Sequence, residues 1–150
     1  MMSEKGNLTA REYLEQLEII DEQINQNLER LEDMKTDAVS VGGIDYSKDR
    51  VQSSTSGDKL CNDVVRYTML NDKMNAEIDS FVDAKEQIIS EIRGLHNKQY
   101  IQVLYKVYAQ YKSIRQASKE MKLSYSYVVS VHVRALEVFE ETYKNLHYLT

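Results

Sequence analysis

The chain has 150 residues, 42% of them hydrophobic, with a formal net charge of -5, one cysteine, five glycines and no proline. That composition is too apolar for a disordered chain, too poor in proline and glycine for a turn-rich β-fold, and leaves Cys61 without an intramolecular disulfide partner. Residues 1–30 hold neither a basic leader nor an apolar run long enough for export or membrane spanning, so a cytosolic, largely helical protein of one or two modest domains is expected.

Residues 1–8 are polar and are expected to be disordered. The stretch "LTAREYLEQLEIIDEQINQNLERLEDMKTDAVS" then places Tyr13, Leu17, Ile20, Ile24, Asn27, Leu31, Met34 and Ala38 at alternating spacings of three and four, which is a heptad seam. Thr9 followed by Glu12 reads as a capping box, so a helix should run from about Ala10 to Val39 and stop at Gly42-Gly43. The segment "VGGIDYSKDRVQSSTSG" has no useful period and reads as a polar loop over residues 41–57.

A second long helix is expected from near Asp58. Its seam is Leu60, Val64, Tyr67, Asn71, Met74, Ile78, Phe81, Lys85, Ile88, Ile92 and Leu95. At about 1.5 Å per residue it would be on the order of 55 Å long, more than one small core needs and suited to a coiled coil. Residues 9–93 thus read as an antiparallel helical hairpin. Its leftover apolar residues (Ile19, Leu28, Leu70, Ile89) call for a further partner, for which a second copy of the chain is the obvious choice. Asn71, Met74, Ile78 and Phe81 are the expected dimer core. Asn71 and Lys85 either fix the register of such a seam or face solvent.

The charge is uneven. Residues 1–93 carry 11 Lys and Arg against 20 Asp and Glu, a net of -9, while residues 94–150 carry 8 against 4, a net of +4. In the basic part, "SIRQASKEMKLSYSYVVSVHVRAL" contains two helical patterns, about Ile114–Met121 and Tyr125 to past Leu136, joined by Lys122, Leu123 and Ser124. That gap suits a helix-turn-helix. Ser113 with Gln116 forms a capping box for the first helix, and Ser124 caps the second. Ile114, Ala117, Met121, Leu123, Val128, Val131, Ala135 and Leu136 fall on the mutually buried side. Tyr125, Ser126, Val129, Ser130, Val133 and Arg134 fall outside. The plain alternative is an ordinary corner of an all-α core. Six cations between Lys98 and Lys122 face the single anion Glu120, an electrostatic footprint suited to phosphates. Tyr125, Ser126, Val129, Ser130 and Arg134 are therefore candidates to meet DNA bases, and Lys98, Lys112, Arg115, Lys119 and Lys122 to meet DNA phosphates. Some of the tyrosines in and beside this segment would also contact DNA, while others must be core.

Catalytic and metal readings find little support. His96, His132 and His147 lack ligand-like spacing, and there is no glycine-rich phosphate loop. Glu77, Asp79, Asp83 and Glu86 spread around a solvated helix face, and His132 reads as a packed residue. No enzyme activity, cofactor, metal, membrane or small-molecule substrate is expected.

Residues Leu95 to Phe139 resemble the C-terminal helix-turn-helix, region four, of bacterial sigma factors. The likeness rests on Tyr100, Leu104 and Tyr108 in a leading helix, the "SIRQASKEM" helix, the Ser124 cap and the closing "RAL" of Arg134 to Leu136. Lys122 departs from it, standing where a turn glycine is usual. With the long helices and the "VQSS" of Val51 to Ser54, the whole chain resembles small phage-encoded regulators of the ArpU/RinA type. The resemblance implies a double-stranded DNA binder of a phage or mobile element that controls late transcription in the bacterial cytoplasm, with host RNA polymerase as a further partner. Two other readings stay open. One is a DNA-packaging accessory similar to small terminase subunits, although those usually place the DNA-binding part first. The other is a coiled-coil adaptor that binds protein and no DNA.

Overall fold

Thr9 fixes where the first helix begins. Its hydroxyl accepts from the Glu12 N–H at 3.2 Å and donates to the Glu12 carboxylate at 3.0 Å, so an i, i+3 pair closes the first turn. The computed structural model describes residues 7–43 and 55–150. The helices are α1 (Ala10–Gly43), α2 (Thr55–Arg93), α3 (Lys98–Leu104), α4 (Ile114–Met121) and α5 (Tyr125–Thr142), and α3 runs on into a π-helical turn over Tyr105–Ala109. The fold is all-α, a long antiparallel helical hairpin followed by a C-terminal helix-turn-helix. Residues 1–6, residues 44–54 with the "VQSS" segment, and the seam side chains of Ala38 and Leu60 lie outside the described residues. Among the described residues no helix is long and apolar enough to cross a membrane.

Two helix ends differ from the sequence expectation. α1 continues past Val39 through Gly42 and Gly43, and α2 starts at Thr55 instead of near Asp58. A glycine costs about 1 kcal/mol in a helix, but a helix already nucleated gains a hydrogen bond with each added residue, so two glycines at its end do not stop it.

The described chain divides into two compact units, one formed by the residues up to Glu22 with Phe81–Thr150, the other by Gln23–Ser80. In the second unit Asn27 and Met74 are buried, and Ile24, Leu31, Met34, Tyr67, Asn71 and Ile78 are half-buried along the seam. Asn27 Nδ2 donates to Glu77 at 3.2 Å, which supplies the hydrogen bond that a buried amide needs. Of the four residues expected in a dimer core, Met74 is enclosed by its own chain, while Asn71, Ile78 and Phe81 are only half-buried. The large apolar side chains exposed on α2 among the described residues are instead Val64, Val65, Met69, Leu70 and Val82, with Met69 67% exposed. Val65 and Met69, one helical turn apart, lie opposite the Met74 row.

The first unit holds most of the core. Tyr13, Leu14, Leu17 and Ile20 of α1 and Ile88 and Ile92 of α2 are buried together with Val103, Leu104, Val128, Ala135 and Phe139 from the C-terminal helices. Each such aliphatic or aromatic side chain stabilises by about 1.5–3 kcal/mol relative to exposure. Within this unit α1 and α2 run antiparallel. The Tyr13 hydroxyl donates to the Glu91 carboxylate, and Lys85 Nζ lies 2.7 Å from Asp21. Lys85 interrupts the apolar seam because it pairs there.

Polar bonds sew the start of α1 to the end of α5 and the tail beyond it. The Leu8 N–H donates to Leu146 O at 2.8 Å, so the order begins before Thr9, and the Ala10 N–H donates to Glu140 at 2.7 Å. The buried Gln16 amide donates to Tyr13 O at 3.0 Å and His147 O at 3.2 Å, and accepts from the Leu149 N–H at 2.8 Å. Both ends of a buried amide are thereby satisfied.

Gly94 sits where no side chain fits. A Cβ there would lie 2.3 Å from the Tyr143 hydroxyl, which donates to Glu91 O at 2.7 Å, while the Tyr143 ring packs on Phe139 with centroids 4.9 Å apart. The ring cannot swing away without breaking that hydrogen bond and leaving Phe139. Gly94→Ala should therefore destabilise the protein by about 1–3 kcal/mol, the usual range for overpacking. Tyr143→Phe removes the clashing oxygen, so in denaturant melts the double variant should be more stable than the sum of the two single effects allows.

Candidate nucleic-acid interface

The C-terminal motif is built by three local signals. Ser113, in extended backbone, accepts from the Gln116 N–H at 3.1 Å and opens α4. The Gln116 amide donates to the Glu120 carboxylate at 3.1 Å, so the capping box is completed on one side only, because a charged acceptor one turn along the helix is the stronger partner. Lys122 takes φ 58 and ψ 41, and the bonds from its own N–H to Lys119 O (3.2 Å) and from the Leu123 N–H to Ser118 O (3.1 Å) form a Schellman ending. A left-handed residue here is what closes α4. That conformation favours glycine, and the lysine is strained relative to one. Ser124 then accepts from the Tyr127 N–H at 3.3 Å and starts α5.

Ala117 is fully buried where α4 meets α5, and Val128, Val131 and Ala135 are buried on the α5 side, as the spacing predicts. Ile114, Met121, Leu123 and Leu136 are only half-buried. The pair is backed by α3 and its π-helical turn, in which the Gln110 N–H reaches Tyr105 O, five residues back, at 3.0 Å. Tyr108 in this turn is buried, stacked on the His132 ring with centroids 5.7 Å apart and hydrogen-bonded to its Nε2 at 2.9 Å. His132 is thus a packed residue of the second helix. Burial, with Arg11 nearby, lowers its pKa from the ordinary histidine value, so it is held neutral.

The outward face of α5 presents Tyr125, Ser126, Ser130, Val133 and Arg134 to solvent, with Val129 half-buried beside them. Several of these groups are already engaged. The Ser130 hydroxyl donates to Ser126 O at 3.2 Å, the Tyr127 hydroxyl donates to Gln99 at 2.9 Å, and the Arg115 guanidinium lies 4.7 Å over the Tyr125 ring. A cation over an exposed ring contributes about 0.5–1 kcal/mol, enough to bias the orientation of both side chains.

The cations divide into two groups. Lys112 and Lys106 both reach Glu120 Oε1, at 2.6 and 2.9 Å. Hydrogen bonds from Lys112, then Lys106 and Gln116, hold the Glu120 carboxyl down to about 2. Lys98, Lys119, Lys122 and Arg134 are exposed and have no ion pair among the described residues. Of the five candidate phosphate ligands, Lys112 is thus tied to a carboxylate and Arg115 is stacked on Tyr125. Sequence reasoning misses the Glu120 clamp, although one signal for it is visible: Glu120 is the only anion among six cations. Glu77, Asp79, Asp83 and Glu86 are exposed, and among the described residues no three His, Cys, Asp or Glu side chains converge as a metal site would need.

The neutral His132 gives the fold a pH dependence of definite sign. Its folded pKa lies below its unfolded one, so its contribution is intact above about pH 6.5 and is lost as the pH falls through the folded value. Thermal melts should show a lower midpoint at pH 5 than at pH 7.5, and His132→Gln should flatten that part of the profile. An unchanged slope in the variant would assign the acid loss to other groups. Comparison of the chain with protein-family models, with curated proteins and with solved structures found no significant match.

Proposed function

We propose that the protein is a double-stranded DNA-binding transcription regulator of a phage or mobile element, working in the cytoplasm of a bacterial host, with host RNA polymerase as a further partner. The observation that carries this reading is the pairing of a helix-turn-helix whose outward α5 face is solvent-exposed with cations on the same motif that have no ion pair among the described residues: Lys119, Lys122 and Arg134. Lys98, at the first turn of α3, adds a fourth. The phage setting and the polymerase contact rest on the resemblance of the whole chain alone. A negative chain overall is no obstacle, because the positive charge is gathered where the motif lies.

Binding driven by phosphates releases counterions, so the logarithm of the affinity for any duplex should fall linearly with the logarithm of salt concentration. Lys119→Ala and Lys122→Ala should lower affinity for all sequences alike and flatten that slope, each by about one ion. Glu120→Gln removes the carboxylate that holds Lys106 and Lys112, and should tighten binding and steepen the slope. Fluorescence anisotropy on a labelled duplex across a salt series measures all three, and a wild-type affinity that ignores salt would sink the reading.

A homodimer is part of the same proposal. Two motifs on one dimer would meet DNA as half-sites and raise the effective concentration of the second contact. Exposed Val65 and Met69 on α2 support self-association there. Light scattering should give twice the chain mass for the wild type and the single mass for Met69→Asp. A wild-type monomer would refute the dimer and leave the DNA reading to the salt series.

A further inference from the structure

We propose that α5 reads thymine through its C5-methyl group, with Val133 as the main contact and Val129 beside it. This rests on the DNA-binding reading above and names what that face would select. The polar inventory of the face is short. Ser130 spends its hydroxyl proton on Ser126 O, Tyr127 donates to Gln99, and the Tyr125 ring lies under Arg115. No Asn or Gln stands on the helix to pair with adenine, and no Asp or Glu occurs before Glu137 to accept from cytosine. Arg134 is the one strong hydrogen-bonding reader, suited to guanine.

What the face does offer is aliphatic. Val133 is 50% exposed and Val129 half-buried one helical turn before it. A branched aliphatic side chain on an outer helix face gains nothing from the core and is a poorer helix former than the straight-chain residues usual on such surfaces. In the major groove the apolar feature displayed by base edges is the thymine methyl. Four residues of helix advance about 6 Å, close to two base steps of about 3.4 Å each, so the two valines match bases about two steps apart. Lys119, Lys122 and Arg134, exposed and without an ion pair among the described residues, carry the charge that complements the flanking phosphates.

The test uses the full chain and a degenerate duplex pool. Sequences enriched by binding are resynthesised twice, once with thymine and once with uracil, which keeps base pairing and deletes only the methyl. The wild type should bind the uracil duplex about fourfold more weakly for each thymine methyl that the valines cover, the equivalent of one buried methylene-sized group. Val133→Ala, an exposed substitution whose folding is checked by its melt, should lose most of that preference, and the Val129→Ala, Val133→Ala double variant should bind both duplexes with nearly the same affinity. Equal wild-type affinity for the two duplexes, or a thymine preference undiminished in Val133→Ala, overturns the inference. Salt-dependent binding with no sequence enrichment overturns it while leaving the DNA reading intact, and absence of binding to any pool member overturns both.

Discussion

Tyr13 closes a ring of contacts on which the C-terminal half of the molecule depends. Its side chain lies 5.8 Å from Phe139, Phe139 lies 4.9 Å from Tyr143, Tyr143 donates to the backbone of Glu91, and the carboxylate of Glu91 accepts from Tyr13. α1, α2 and α5 are therefore fixed to one another by two aromatic contacts and two hydrogen bonds that share members. In such a circuit each bond orients the group that makes the next. Burial and the neighbouring carboxylate raise the Tyr13 pKa, which keeps its hydroxyl protonated and able to donate.

The helix-turn-helix inherits its rigidity from that circuit and from the layer behind it. Phe139 and Tyr143 belong to α5 and its C-cap, so the helix that carries the outward residues is anchored at its far end. Near its middle the Tyr108–His132 pair fixes it to the π-helical turn, and near its start Tyr127 fixes it to α3 through Gln99. The exposed face thus sits on a helix held at three places along its length. A surface that is to meet a rigid duplex gains from this, because little ordering remains to be done on binding. The Glu120 clamp sets the electrostatics differently: two lysines share one carboxylate that cancels one of their two charges, and the turn and the outer face of α5 add the unpaired remainder of the field.

Much of this architecture is legible in the sequence because it is written in local patterns. Ser113, Ser124 and the interval between them locate α4, the turn and α5, since caps act within three residues of themselves. The seam from Tyr13 to Ile20 and from Ile88 to Leu95 is visible as periodicity. The π-helical turn is not, because "LYKVYAQY" reads equally well as an ordinary helix, and its extra residue matters only through the packing of Tyr108 against a histidine 24 positions away. Gln16 looks like a surface residue. Its partners are backbone atoms of His147 and Leu149, which no pattern around residue 16 reveals. Tyr111 is likewise opaque: it adopts a left-handed backbone and sends its hydroxyl to Leu17 O and Asp21. The exposed row on α2 is obscured by the seam, since Val64 reads as a seam residue and Val65 and Met69 fall outside the heptad pattern.

The bond from the Ala10 N–H to Glu140 spans 130 positions, and Gln16 waits for residues as far along as Leu149. As the chain emerges from the ribosome, the first helix is made early, yet the side of it that carries Gln16 is not fully covered until those distant residues have been added. A protein built in the usual order, amino end first, would finish its opening segment before going on. In this one α1 is completed late. Over Ala10–Gly43 nine Asp and Glu stand against three Lys and Arg, a net charge of the kind that favours solubility while an apolar side is uncovered.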